Sequence, residues 1–376
     1  MRRHPLTISL LSALALTVLV VGLSPLIALC LPDPWKQHAY HEISFQFIAR
    51  NRLTASRVPE DVVRDAMKYT RRHLWLVDGR TPYAGKSFDY LIEGIGWCDY
   101  HAKVFCKLLA ARGIHARYDF LRDRRRDSPH TMAEVYLHGK WRAADPFFNL
   151  VYAKPDGEWA TLEELTPQLV AGLPDLMQLR NATSGLDDQI LALAEKTFPL
   201  PYPPQRSDDF VQDKNIFDAV DEAYVRLLGK PFAYWYQDRV VRDKVMTLAD
   251  PVERLWYQVR NYHLYGRFEE AEALYNQLVT VASATPYHER TTLFLSRLLM
   301  RQKRLVEAKH LLAQFLHDMP EARWAHLQLA FCQERLGETA DAIEHFRRYQ
   351  ELGGRKWSLE AVQHLERLES AVQKAS

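Results

Sequence analysis

Three residue types that together perform thiol chemistry occur in order along the chain: Cys98, His130 and Asp145. Cys98 lies in Gly94-Ile95-Gly96-Trp97-Cys98-Asp99-Tyr100-His101-Ala102, a glycine-containing turn leading into a helical stretch. From His101 to Arg112 the spacing is helical, with Ala102, Phe105 and Leu109 on the Cys98 stripe and Gly113 as the stop. A sulfur at a helix N-terminus faces the positive end of the macrodipole, which favours the thiolate. His130 opens an alternating run to Leu137 that reads as a strand with Ala133, Val135 and Leu137 on its apolar face. Beyond a turn at His138-Gly139-Lys140, Trp141 to Asp145 returns as a second strand, which Pro146 halts. A thiolate attacks, an imidazole exchanges the proton, and a carboxylate holds the imidazole in one tautomer.

The hairpin sets a condition on this set. A two-residue turn at Gly139-Lys140 places His138 opposite Trp141 and Glu134 opposite Asp145. His130 then lies four residues from Asp145 on the same face, ~13 Å at the usual strand rise. Twist, a bulge or a wider turn must close that gap. Cys106, two helical turns beyond Cys98, suits the core, and Asp99 suits the first helical turn. His101, His115 and His138 have no companions at metal-ligand spacing, so neither a metal nor a cofactor is expected.

The stretch Ser87 to Asn149 resembles the core of the transglutaminase-like superfamily of papain-fold thiol enzymes. Three blocks carry the resemblance: Gly96 to Ala102; Leu108-Leu109-Ala110-Ala111-Arg112-Gly113 with Ile114 to Arg117; and His130, Glu134 to Leu137, Gly139-Lys140-Trp141 and Asp145-Pro146. Thr131 after the histidine and Ala144 before Asp145 depart from the common pattern without removing a chemical group. The resemblance implies an α+β core, a helix carrying the cysteine packed on an antiparallel sheet. It implies a catalytic Cys98, His130 and Asp145. No side chain of this sequence matches the family's oxyanion-stabilising one, which leaves the Cys98 backbone N–H for that role.

Helices are expected over His38 to Asn51, from Pro59 with Val62, Val63, Ala66, Met67 and Leu74 inward, and over Phe88 to Ile92. A strand is expected from Ala116 to Leu121, followed by a basic loop from Arg122 to Asp127. Glu158 to Ala194 reads as largely helical, with a capping box at Thr161 and Glu164. Four prolines mark Pro199 to Ser207 as a linker, Phe210 to Leu228 is amphipathic, and Tyr234-Trp235-Tyr236 suits core packing.

From Pro251 the chain repeats itself. Gly266 to Tyr275, Lys303 to Leu312 and Gly337 to Phe346 align, placing alanines at 271, 308 and 342. This spacing resembles three tetratricopeptide units over Val252 to Gly354, an all-α solenoid with Trp357 to Gln373 as its capping helix. Such repeats either present a face to a protein partner or brace the neighbouring domain. The expected domains are therefore 1–31, an N-terminal anchor; 35–155, the thiol domain; 156–250, a helical linker region; 251–355, the repeats; and 356–376, the cap.

The 376 residues carry a net charge of +2, which gives no global argument for nucleic acid. Four cysteines, Cys30, Cys98, Cys106 and Cys332, do not make a disulfide scaffold. Arg2 and Arg3 precede an uncharged run from Leu6 to Leu31. That run is expected to be a transmembrane signal anchor, with the N-terminus cytoplasmic and the domains extracytoplasmic. A cleaved signal peptide is the alternative, while Leu29 does not suit a lipid-modified Cys30. The expected function is hydrolysis of a peptide or protein amide, favoured over transamidation. The alternative is an inactive membrane-tethered scaffold that binds partners through its repeats.

Overall fold

The computed structural model describes residues 5–74, 86–122, 130–154, 156–166, 205–206, 216–283, 285–353 and 359–375. The Asn181-Ala182-Thr183 sequon and most of the basic loop after Arg122 lie outside them.

Among the described residues six helices precede the sheet: α1 (Pro5–Gly22), α2 (Ser24–Ala28), α3 (Asp33–Asn51), α4 (Pro59–His73), α5 (Ser87–Glu93) and α6 (Cys98–Ala110). The strands are β1 (Ala116–Leu121), β2 (His130–Leu137), β3 (Lys140–Asp145), β4 (Leu150–Val151) and β5 (Gln205–Arg206). They form one antiparallel sheet in the order β4-β3-β2-β1-β5. α6 lies on β1 and β2 and is covered by α3 and α4. Ala102, Phe105 and Leu109 of α6 share a core with Ala133 and Val135 of β2 and with Phe45, Ile48, Val63 and Met67. Alternation on the strand and a 3.6-residue stripe on the helix both deliver apolar side chains to this layer.

The uncharged N-terminal run is not one continuous helix. It divides at Leu23 into α1 and α2, where Gly22 ends one helix and Pro25 suits the first turn of the next. Pro25 and Ala28 are buried, and Tyr224 donates to the Gly22 carbonyl. Among the described residues no helix is long and apolar enough to cross a membrane.

Glu158 to Thr166 is not helical. Its backbone pairs instead with the sheet: Ala160 N–H donates to the Tyr152 carbonyl at 2.7 Å, and Ala143 N–H to the Ala160 carbonyl at 2.8 Å. The Thr161–Glu164 capping box closes only one turn, with bonds of 2.8 and 3.2 Å, and the rest of the helix expected there lies outside the described residues. Gln205–Arg206, inside the proline-rich stretch read as a linker, supplies β5. α7 (Ile216–Val245) lies along α3 and bends at Gly229, two residues before Pro231, whose ring cannot continue the helical bonding. Tyr236 is fully buried and stacks on Tyr40, 6.5 Å between ring centroids.

The C-terminal region is helical: α8 (Pro251–Tyr265), α9 (Phe268–Val281), α10 (His288–Arg301), α11 (Leu305–Asp318), α12 (Arg323–Leu336), α13 (Thr339–Glu351) and α14 (Leu359–Ala375). Ala271, Ala308 and Ala342 are fully buried where paired helices meet. Their small side chains let the backbones approach, and Tyr275, Leu312 and Phe346, also fully buried, fill the adjoining layer. The loops inside the repeats need a left-handed residue, supplied by Gly266 and Gly337 but in the middle unit by Lys303 at φ 64°.

Candidate active site

Cys98 is the first residue of α6, and its side chain is half-buried. Trp97 caps the helix in an extended conformation, and its carbonyl accepts from the Tyr100 and His101 N–H groups, both at 3.1 Å. The His101 ring adds an Nδ1–H bond to the same carbonyl at 2.9 Å. Burial, reinforced by the charge of Arg71, pushes His101 down to about 3, so this ring is neutral and structural. The N–H of Cys98, in the first turn, has no intrahelical acceptor.

The turn ahead of Cys98 is built against the repeats. Gly94 ends α5 at φ 72°, and a Cβ there would stand 2.7 Å from the Phe294 ring of α10. Arg260 of α8, fully buried, donates to the carbonyls of Leu91 at 2.6 Å, Ile92 at 3.2 Å and His73 at 3.3 Å. Its guanidinium lies 3.7 Å over the Phe294 ring. Arg290 of α10 donates to the Glu93 carbonyl at 2.9 Å and pairs with the Glu93 carboxylate at 3.2 Å. One arginine from each of the first two repeats thus holds the end of α5 from which the chain enters α6.

His130 begins β2 and Asp145 ends β3. The hairpin register differs from the expected one: Leu137 pairs with Lys140, Val135 with Arg142 and Ala133 with Ala144. The two-residue turn is His138-Gly139, because His138 adopts φ 49° and Gly139 φ 82°. Two consecutive positive φ values describe a type I′ turn, whose twist matches that of the flanking strands. In this register Asp145 stands level with Met132, so His130 is two residues away rather than four. Diagonal same-face neighbours at that offset lie within reach of long side chains.

The side chains meet: His130 Nε2 is 2.6 Å from Asp145 Oδ2. The other carboxylate oxygen accepts from the N–H groups of Phe147 and Phe148, both at 3.0 Å, and Tyr152 donates its hydroxyl to Oδ2 at 3.4 Å. Burial first, then the Asp145 charge, pushes the Tyr152 phenol well above its usual value, so it remains a donor. The Cys98 sulfur lies near enough to the imidazole to favour its charged form. Burial of the ring opposes its charge. The Asp145 carboxylate, its hydrogen bond and the Cys98 sulfur outweigh that, and His130 is pushed up to about 10.

Phe147 and Phe148 wall the ring, with centroids 6.0 and 5.4 Å from that of His130. Phe147 belongs to the apolar cluster of the repeats, and Trp97, Cys98 and Phe148 pack against that cluster. The site therefore lies where the two domains meet. Phe147, Phe148, Tyr152, Arg260 and Arg290 were not singled out from the sequence. Only the aromatic pair directly after Asp145-Pro146 offered a local signal. Among the described residues no group of three or more His, Cys, Asp or Glu side chains could hold a metal ion.

Residues 46–146 match the transglutaminase-like superfamily, a span that contains Cys98, His130 and Asp145. Residues 262–328 and 299–353 match the tetratricopeptide repeat. The chain thus carries a transglutaminase-like domain followed by tetratricopeptide repeats. No curated protein and no solved structure matches it.

Proposed function

We propose that the protein is a thiol enzyme that hydrolyses peptide or protein amide bonds, with Cys98 as nucleophile, His130 as proton carrier and Asp145 as the group that orients His130. The observation that supports this reading is the His130–Asp145 hydrogen bond, with the Cys98 sulfur acting on the same imidazole. The Cys98 sulfur, its proton on His130, adds to the amide carbon. The oxygen that gains negative charge is met by the Cys98 N–H, the donor with no helical acceptor. His130 returns the proton to the amine nitrogen as the C–N bond breaks, leaving an acyl-thioester. A water then attacks that carbon and gives one proton to His130. The C–S bond breaks, the acid leaves, and the thiol is restored. Water needs no acceptor site of its own, which favours hydrolysis over transfer to an amine. The Asp145 carboxylate, fixed by two backbone N–H groups and Tyr152, keeps one imidazole orientation through both half-reactions.

The test is amine release from a fluorescence-quenched peptide library by the full chain and by Cys98→Ala and His130→Ala. Each substitution should lower the rate about 10³-fold or more. Turnover that survives Cys98→Ala would refute the assignment.

Membrane attachment through the N-terminal segment, with both domains outside the cytoplasm, belongs to the same proposal. Leu14, Leu16, Val18 and Leu19 of α1 are 61, 61, 65 and 56 % exposed, a surface that lipid would cover. Arg2 and Arg3 on its N-terminal side favour a cytoplasmic start. Retention in the pellet after carbonate extraction, with cleavage of the domains by external protease, is the expected result; release by carbonate contradicts it.

A further inference from the structure

A cavity of about 1000 Å³ opens between α4 and the inner face of the repeats. Among the described residues its repeat wall comes from α8, α10, α12 and α14, the first helix of each unit and the cap. Its other wall is formed by Phe148 to Val151 and by the polar face of α4, where Arg64, Lys68, Arg71 and Arg72 follow helical spacing. Across from them stand Arg297, Arg301 and Arg335. Among the described residues, eight of the lining side chains are Lys or Arg and Glu334 is the one carboxylate. Glu334 is already engaged by His364 at 2.6 Å and by Arg367.

A chain with net charge +2 has thus concentrated cations in one concavity. Burial first, then the nearby Arg52 and Arg72 charges, pulls Arg301 below the ordinary arginine value. Low-dielectric walls focus such a field toward an anion. The cavity is not purely polar: Phe148, Leu150, Val151, Phe294, Leu298 and Phe331 also line it. Phe148 joins it to the reaction centre, since its ring lies 5.4 Å from that of His130 and its N–H bonds Asp145.

We propose that this cavity binds an acidic peptide segment of the substrate and so presents a neighbouring amide bond to Cys98. The proposal rests on the reading of Cys98 as the nucleophile of an amide hydrolase. The mixed lining suits carboxylate side chains interspersed with apolar ones. A concave surface cannot lie flat on a bilayer, and a polynucleotide offers no amide bond of the peptide kind to the thiol.

Fluorescence anisotropy with the full-length Cys98→Ala chain separates binding from chemistry. The probe is a fluorescein-labelled peptide of alternating Glu and Leu, compared with its Gln-Leu counterpart. The Glu peptide should bind about tenfold or more tightly, an advantage that shrinks as salt screens the field. Arg335→Glu and Lys68→Glu should each remove most of that advantage, and Arg226→Glu on α7 should not. Arg335→Gln, with melting temperature recorded, covers a charge-reversed variant that fails to fold. Equal affinity for the two peptides, or indifference to the Arg335 and Lys68 changes, would overturn the proposal. So would stronger competition by phosphatidylglycerol vesicles or single-stranded oligonucleotide than by unlabelled Glu peptide at equal charge. Selective binding with no turnover by the unmutated chain would uphold the cavity and refute only the amide hydrolase.

Discussion

His130 Nε2 and Asp145 Oδ2 stand 2.6 Å apart although their positions on β2 and β3 are offset by two residues. The contact exists because the hairpin turns at His138-Gly139, which leaves both side chains on one face at a diagonal that an imidazole spans. Asp145 is in turn fixed by the backbone of Phe147 and Phe148, so the carboxylate rather than the ring is the rigid member of the pair.

Asp145→Asn tests the charge in this pair. The His130 proton is retained up to about pH 10 in the folded chain, against an unfolded value near 6.5. A raised folded value contributes stability that is full below about pH 6.5 and is lost as pH rises through about 10. The melting-temperature difference between the original chain and Asp145→Asn should therefore be largest at pH 6 and shrink toward pH 10. Without the carboxylate, burial acts unopposed and the His130 ring, followed by NMR, should titrate far lower. Amide hydrolysis should fall about 10²- to 10⁴-fold. An unchanged His130 titration would contradict this account.

Cysteine labelling tests the position of the sulfur. Burial, with a smaller push from Asp119, holds the Cys106 thiol well above its usual value, whereas Cys98 is half-buried beside an imidazole. In native protein at neutral pH, iodoacetamide should modify Cys98 and spare Cys106, as read by peptide mapping. His130→Ala should slow Cys98 modification severalfold. Equal labelling of the two cysteines would remove the basis for a nucleophilic Cys98.

Arg260 tests the coupling between domains. Its donors satisfy three backbone carbonyls around the turn that precedes Cys98. Arg260→Met leaves those carbonyls unpaired and should cost about 3 kcal/mol in urea unfolding. Arg260→Lys should recover little, because an ammonium cannot reproduce the planar fork. Under conditions where either variant stays folded, Cys98 should still label differently from the original chain, a change that lower stability alone does not produce.

Lys303 offers a stabilising change. Its φ of 64° is a conformation that the equivalent positions in the flanking units assign to Gly266 and Gly337. Lys303→Gly should raise stability by about 1 kcal/mol, read as a higher melting temperature. A lower melting temperature would show that side-chain contacts of Lys303 outweigh the backbone cost.

The helix that begins at Cys98 and the strands that start at His130 and end at Asp145 were legible because each rests on a local pattern: a glycine turn, a 3.6-residue stripe, an alternation. The repeats were legible for the same reason, since Ala271, Ala308 and Ala342 recur at positions that only a small side chain fits. The hairpin was misread by two residues in its pairing. Gly139-Lys140 had looked like the turn, and nothing local announces that a histidine takes φ 49°. Glu158 to Thr166 was misread because backbone pairing with Tyr152 and Ala143 overrode its propensity.

By itself the sequence determined which elements carry Cys98, His130 and Asp145 and that an alanine-spaced helical array follows them, since period and punctuation are properties of short segments. Tertiary structure alone decided the rest. It brought Arg260 to carbonyls 168 and 169 residues away, pressed Phe147 and Phe148 against His130, and faced the α4 cations with those of the repeats. Such contacts join segments far apart in the chain, and burial and charge act through space, so no local pattern contains them.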